Sequence, residues 1–136
     1  MGDPESQVVI PRIESDFVRL LSATARGTLK AEAIQLSSDT TVTVVMASAG
    51  YPGSYEKGKK IQGLDIIDEA LVFHAGTKFD DDRNIVTSGG RVLAVTGKGP
   101  DLKDAINAAY FSISKISWEG VQYRSDIGQD LLKLEK

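Results

Sequence analysis

The sequence predicts an α+β domain, with a mainly antiparallel sheet covered by one long helix and a short helical segment in front of it. Short runs rich in Val, Ile, Thr and Ala, bounded by Gly, Asp or Ser, crowd the middle of the chain. One continuous apolar stripe at helical spacing runs from Leu102 to Ile116. No long strand-helix alternation marks a parallel, doubly wound fold. A length of 136 residues, 41% apolar and 26% charged, suits one globular domain with one core.

In chain order, residues 5–13 carry Val8, Val9 and Ile10, and Pro11 interrupts them, so a short turn of helix and a break are expected. Residues 15–26 place Phe17, Leu20, Leu21 and Ala25 at helical spacing. Ser15 is the expected amino cap, Asp16 suits the first turn, and Gly27 stops the helix. A boundary follows between a leading segment, 1–29, and a main domain, 30–136. Strands are expected at 31–36, 40–47, 70–77, 84–87 and 91–96, forming an antiparallel meander. Ser88, Gly89 and Gly90 read as a hairpin turn between Val86 and Val92, and residues 78–84, with three aspartates, as a second exposed turn. Pro100 and Asp101 open the long helix, whose stripe of Leu102, Ala105, Ile106, Ala109, Ile113 and Ile116 should cover one face of the sheet. The charged tail, 130–136, is expected to fray.

Composition excludes several function classes. A net charge of -3 supplies no positive field for a phosphate backbone, so no nucleic-acid partner is expected. The absence of cysteine removes disulfides, thiolate metal sites and thiol nucleophiles. No run approaches the roughly 20 apolar residues of a membrane span. The first residues show neither the basic nor the apolar region of a signal peptide, and a reduced, cytoplasmic setting is expected.

Two segments have the composition of a ligand site. Residues 50–58 contain Gly50, Tyr51, Pro52, Gly53 and Lys57 just past a strand; this is a surface turn or a loop whose backbone approaches a ligand. Arg91 offers a rigid fork of donors suited to a phosphate, with Ser88, Gly89 and Gly90 adding a hydroxyl and backbone N–H groups. The alternative is an arginine pointing into water. Lys78 would add a second cation if its hairpin neighbours that of Arg91. His74, alone in an apolar strand, reads as structural. Asp3 and Glu5 read as a helix-start cluster rather than a metal or acid-base pair. Arg124 and Asp126 are spaced to pair and anchor the tail, and Trp118 and Tyr110 read as core or interface residues.

Glycine-punctuated segments run the length of the chain: Gly2-Asp3-Pro4-Glu5, then Gly50-Tyr51-Pro52-Gly53-Ser54-Tyr55-Glu56-Lys57-Gly58, Gly76-Thr77-Lys78, Ser88-Gly89-Gly90-Arg91 and Tyr123-Arg124-Ser125-Asp126-Ile127-Gly128. In this order they resemble the carboxyl-terminal part of the phosphoribosylamine-glycine ligase family, ATP-grasp enzymes of purine biosynthesis. The resemblance implies a fragment, with 1–29 the tail of the ATP-grasp domain and 30–136 the C-terminal domain. It implies that the full-length enzyme joins glycine to 5-phosphoribosylamine with ATP and magnesium or manganese, none of which the fragment alone would bind. The expected partners are the missing amino-terminal and ATP-grasp domains and small-molecule substrates. Arg91, Gly90, Gly89, Ser88 and Lys78 would hold a substrate phosphate. Gly50, Tyr51, Pro52, Gly53 and Lys57 would form an active-site loop, and Asp3 and Pro4 would lie close to substrate. No residue of the fragment is assigned a catalytic role, so it is expected to be silent alone. An independent interaction module with the same fold is the other reading, marked by exposed apolar surface along residues 5–21.

Overall fold

Strand β1, Thr40–Ser48, buries Val42, Val44 and Met46 on one face and leaves Thr41, Thr43, Val45 and Ala47 half-buried on the other. That alternation orients the whole domain. β1 pairs antiparallel with β5, Arg91–Gly99, from Thr40 opposite Gly99 to Met46 opposite Leu93, after which the register slips so that Ala47 faces Arg91. Strand β2, Ala70–His74, pairs with the far side of β5, and β6, Val121–Gln122, with the far side of β1, giving the order β2-β5-β1-β6. Strands β3, Thr77–Phe79, and β4, Ile85–Thr87, form a separate ribbon. The computed structural model describes residues 2–134.

Helix α3, Leu102–Lys115, covers the buried face. Its amino cap is Asp101, whose Oδ1 accepts the Asp104 N–H at 2.8 Å. Leu102, Ala105, Ile106, Ala109 and Ile113 pack on Val42, Val44, Met46, Leu93 and Val95, with Ile61, Ile116 and Trp118 closing the core. Each fully buried aliphatic side chain contributes about 1.5–3 kcal/mol. The helix lies very close to β5, because a Cβ at Gly97 would overlap the Ala105 carbonyl and the Ala109 amide.

The leading segment docks on the opposite face. Helix α1, Glu5–Val9, is followed by a 3-10 turn, Ile10–Arg12, as the position of Pro11 suggests. Thr41 donates to the Val8 carbonyl at 2.7 Å and Thr96 to the Gln7 carbonyl at 2.9 Å. Helix α2, Phe17–Ala25, buries Leu20 and Ala23 and ends before Gly27, while Val18 and Leu21 are 75% and 54% exposed.

Several expectations change. Asp16, not Ser15, caps α2, its Oδ1 accepting the Arg19 N–H at 3.0 Å; the Ser15 hydroxyl is taken by the returning chain, accepting the Gln35 N–H at 2.8 Å. Residues 31–36 are not a strand: they follow a 3-10 turn, Leu29–Ala31, and only Leu36 bridges, to Ile13. They have no strand alongside to supply a ladder. The meander is replaced by a sheet in which β1 pairs not with the next strand in the chain but with β5 and β6. The turn expected at Ser88, Gly89 and Gly90 is a corner between ribbon and sheet, since β4 pairs with β3 and β5 with β1 and β2. Residues 70–77 split for the same reason, as the Gly76 carbonyl accepts the N–H groups of Ser88 and Gly89 at 2.7 and 3.2 Å. The second turn is as expected, with Asp80 Oδ1 accepting the Asn84 N–H at 2.7 Å. Of the tail expected to fray, Leu131–Lys133 form a 3-10 turn, and residues 135 and 136 lie outside the described residues. Among the described residues no helix is long and apolar enough to cross a membrane.

Two substitutions test this packing by urea unfolding. Gly97→Ala is expected to lower stability by about 1–3 kcal/mol with an unchanged denaturant slope, because overlap with α3 outweighs the ~0.4–1 kcal/mol that loss of unfolded-chain entropy supplies. Asp101→Ala is expected to cost about 0.5–2 kcal/mol and Asp101→Asn much less, since asparagine also caps.

Candidate functional site

The open face of the sheet carries a groove of about 950 Å³. β1 contributes Thr43, Val45 and Ala47, the leading turn contributes Pro4, and the loop after β1 contributes Tyr51. Arg91, Gln122, Tyr123 and Arg124 add polar side chains to its lining. The bulge between Met46 and Ala47 brings this about, because the register slip sets Arg91 opposite Ala47 on the open face.

Arg91 is 40% exposed and holds the leading turn. Its Nη1 donates to the Asp3 carbonyl at 3.0 Å, and its Nη2 lies 3.2 Å from Asp3 Oδ2. Gly90 is needed just before it, since a Cβ there would overlap the Tyr51 ring. The corner is tied to β1 by Ser48, whose hydroxyl donates to the Gly89 carbonyl at 3.0 Å and whose N–H donates to the Gly90 carbonyl at 2.8 Å. Ser88 and Gly89 therefore act as scaffold in this structure, their N–H groups spent on Gly76. Lys78 sits on β3 opposite Val86, exposed, and is not among the groove's lining residues.

Of the loop at 50–58, Tyr51 enters the groove and Lys57 does not. Tyr51 and Tyr55 meet edge to face with centroids 6.2 Å apart, and Lys57 Nζ stands 5.8 Å from the Tyr55 ring centroid. The loop thus reads as an aromatic arm that presents one phenol.

The second cation at the groove is Arg124, which sequence reasoning had given only an anchoring role. Its Nε and Nη2 donate to Asp126 Oδ1 and Oδ2 at 2.9 and 2.7 Å, a bidentate pair. Hydrogen bonds from Arg124 hold the Asp126 carboxyl below its ordinary value, and Asp126 in turn raises the guanidinium. Tyr110 on α3 fixes the segment, donating from its hydroxyl to the Arg124 carbonyl at 2.7 Å and accepting the Ile127 N–H at 3.1 Å. Burial pushes its phenol up. The signal that could have found Arg124 was its place beside Tyr123 in a glycine-closed segment after the helix.

The remaining candidates lie elsewhere. His74 is exposed at the edge of β2, with Nδ1 3.0 Å from Thr77 Oγ1. Trp118 is core. Among the described residues no group of three or more His, Asp or Glu is placed to hold a metal ion. Two guanidiniums and two phenols around an apolar strand suit an anion attached to a small polar body.

Residues 41–130 match the family model described as phosphoribosylglycinamide synthetase, C domain. A phosphoribosylamine–glycine ligase, chloroplastic, of Arabidopsis thaliana is 46% identical over 97% of this chain and 26% of its own length. One from Caldanaerobacter subterraneus is 47% identical over 93% of this chain and 30% of its own. The crystal structure of the Thermotoga maritima phosphoribosylamine–glycine ligase superposes with a TM-score of 0.81 at 38% identity, over 93% of this chain and 31% of that one. The chain spans about a quarter to a third of the length of these relatives. With both groove arginines inside the matched residues, the chain belongs to the phosphoribosylglycinamide synthetase C-domain family.

Proposed function

We propose that this chain is the carboxyl-terminal portion of a phosphoribosylamine–glycine ligase and that its groove holds the sugar-phosphate end of a substrate. One observation carries the reading: the family match over residues 41–130 includes Arg91, Arg124 and Tyr51, which meet at one groove. In the parent reaction, the γ-phosphoryl group of ATP passes to the carboxylate of glycine and ADP leaves. The amine of 5-phosphoribosylamine then attacks the acyl carbon, the C–N bond forms, the C–O bond to phosphate breaks, and the nitrogen gives up a proton. The product is glycinamide ribonucleotide in purine biosynthesis.

This chain's share is positioning. Guanidiniums and phenols bind and orient, and holding the sugar phosphate fixes where the amine lies, which is worth several kcal/mol of barrier when the geometry is right. The chain alone is inactive in this reading. ATP and magnesium or manganese belong to the preceding domains of the parent in this reading. Residues 1–29 form the tail of the ATP-grasp domain and 30–136 the C-terminal domain, a division supported by the family match beginning at residue 41. A cytoplasmic setting for the parent completes the proposal, beside a relative that is named chloroplastic.

An interaction module is the second reading, favoured by the exposure of Val9, Val18 and Leu21 at 45%, 75% and 54%. The same surface suits a seam with the preceding domains, and the family match favours the seam.

Titration with glycinamide ribonucleotide and with ribose 5-phosphate, followed by backbone amide shifts, tests the site. Shifts are expected at residues 87–91 and 123–124, and Arg91→Ala should weaken binding at least about tenfold, the effect of losing charge-assisted hydrogen bonds. Unmoved amides at millimolar ligand would remove the phosphate from this groove.

A further inference from the structure

Arg91 already holds an anion. The carboxylate and the carbonyl of Asp3 both meet its terminal nitrogens, at 3.2 and 3.0 Å, across 88 residues of sequence. A phosphate approaching the same two nitrogens would need the place that Asp3 fills. We infer that the Asp3 carboxylate is the resident occupant of the Arg91 anion site, that a sugar phosphate and Asp3 exchange there, and that filling the site unlatches the turn ahead of α1. The exchange rests on the reading of the groove as a sugar-phosphate site; the Asp3 latch does not.

Exposure and bonding set which occupant wins. Asp3 and Arg91 are 48% and 40% exposed, and an ion pair so open to water contributes a factor of about one to five. A phosphate carries close to two charges at neutral pH and offers three acceptor oxygens, which makes it the stronger partner for a guanidinium fork. The pair is thus strong enough to orient Arg91 and weak enough to yield.

The leading segment is built to respond at one end only. Its rear is held by Thr41 on the Val8 carbonyl and Thr96 on the Gln7 carbonyl, at 2.7 and 2.9 Å. Its front is held by Arg91. Asp3 Oδ1 also accepts the Gln7 side-chain amide at 3.3 Å, so the turn and α1 move together about the threonine contacts. Pro4, next to Asp3, lines the groove, so the position of the latch shapes the site it guards. Asp3 is a positioning residue that sets both the affinity for phosphate and the placement of the segment leading into the preceding domain.

By reciprocity, whatever Asp3 costs the phosphate, the phosphate costs the latch. The test is ribose 5-phosphate titration of the chain, Asp3→Asn and Arg91→Ala, with hydrogen exchange read at Ser6 and Gln7, whose N–H groups bond the Gly2 and Pro4 carbonyls at 3.0 Å. Asp3→Asn is expected to tighten binding about two- to fivefold. Saturating ligand should speed exchange at Ser6 and Gln7 in the unsubstituted chain, while Arg91→Ala exchanges fast with or without it and Asp3→Asn, which keeps the backbone contact to Arg91, exchanges faster than the unsubstituted chain without ligand. Equal or weaker binding by Asp3→Asn, or ligand that binds without changing those amides, would overturn the exchange while leaving the phosphate site intact. If neither the parent chain nor Asp3→Asn binds ribose 5-phosphate, the site reading and the exchange both fall; faster amides in the two variants would then still identify Asp3 as the partner of Arg91, and unchanged amides would end that too.

Discussion

The antiparallel ladder between β1 and β5 is the constraint on which the rest of the domain depends. Side chains alternate with a period of two, so a slip of one residue would move Val42, Val44 and Met46 to the open face and put threonines under the helix. The correct register serves both ends of β5. At one end Gly97 lies beneath α3 and admits its backbone; at the other the bulge turns Arg91 toward the groove. Core and site are two faces of one pairing.

The groove presents two arginines in a chain whose net charge is -3, and each has its own aspartate. Asp126 grips Arg124 through both oxygens, and Asp3 meets Arg91 through side chain and backbone. These pairs are exposed and add little stability. Their effect is orientation: a long, flexible side chain that is already aimed loses less freedom when a ligand arrives.

Polar contacts tie α1 to the sheet. α1 buries no residue fully, and threonine hydroxyls on the open face reach its carbonyls. α2 presents Val18 and Leu21 to solvent on the side away from buried Leu20 and Ala23.

The α3 stripe, its Asp101 cap, the break at Pro11, strand β1 and the turn at Asp80 were legible because each is written in neighbouring residues: period, cap or turn chemistry. The glycine-punctuated segments likewise carried the family, since composition and order survive without coordinates. Strand partnership was not legible. β1 could have paired with any later strand of suitable pattern, and the choice of β5, the corner at Ser88 and the loss of 31–36 from the sheet depend on long-range ladder formation. The site shows the same division. The sequence by itself determined that Arg91, Tyr51 and the Tyr123–Arg124 segment exist with suitable chemistry. Only the tertiary structure decided that Arg124 rather than Lys78 joins Arg91 at the groove, that the Ser88 and Gly89 amides serve Gly76, and that Asp3 holds Arg91 across the sheet, because such contacts arise from register and packing between residues far apart in the chain.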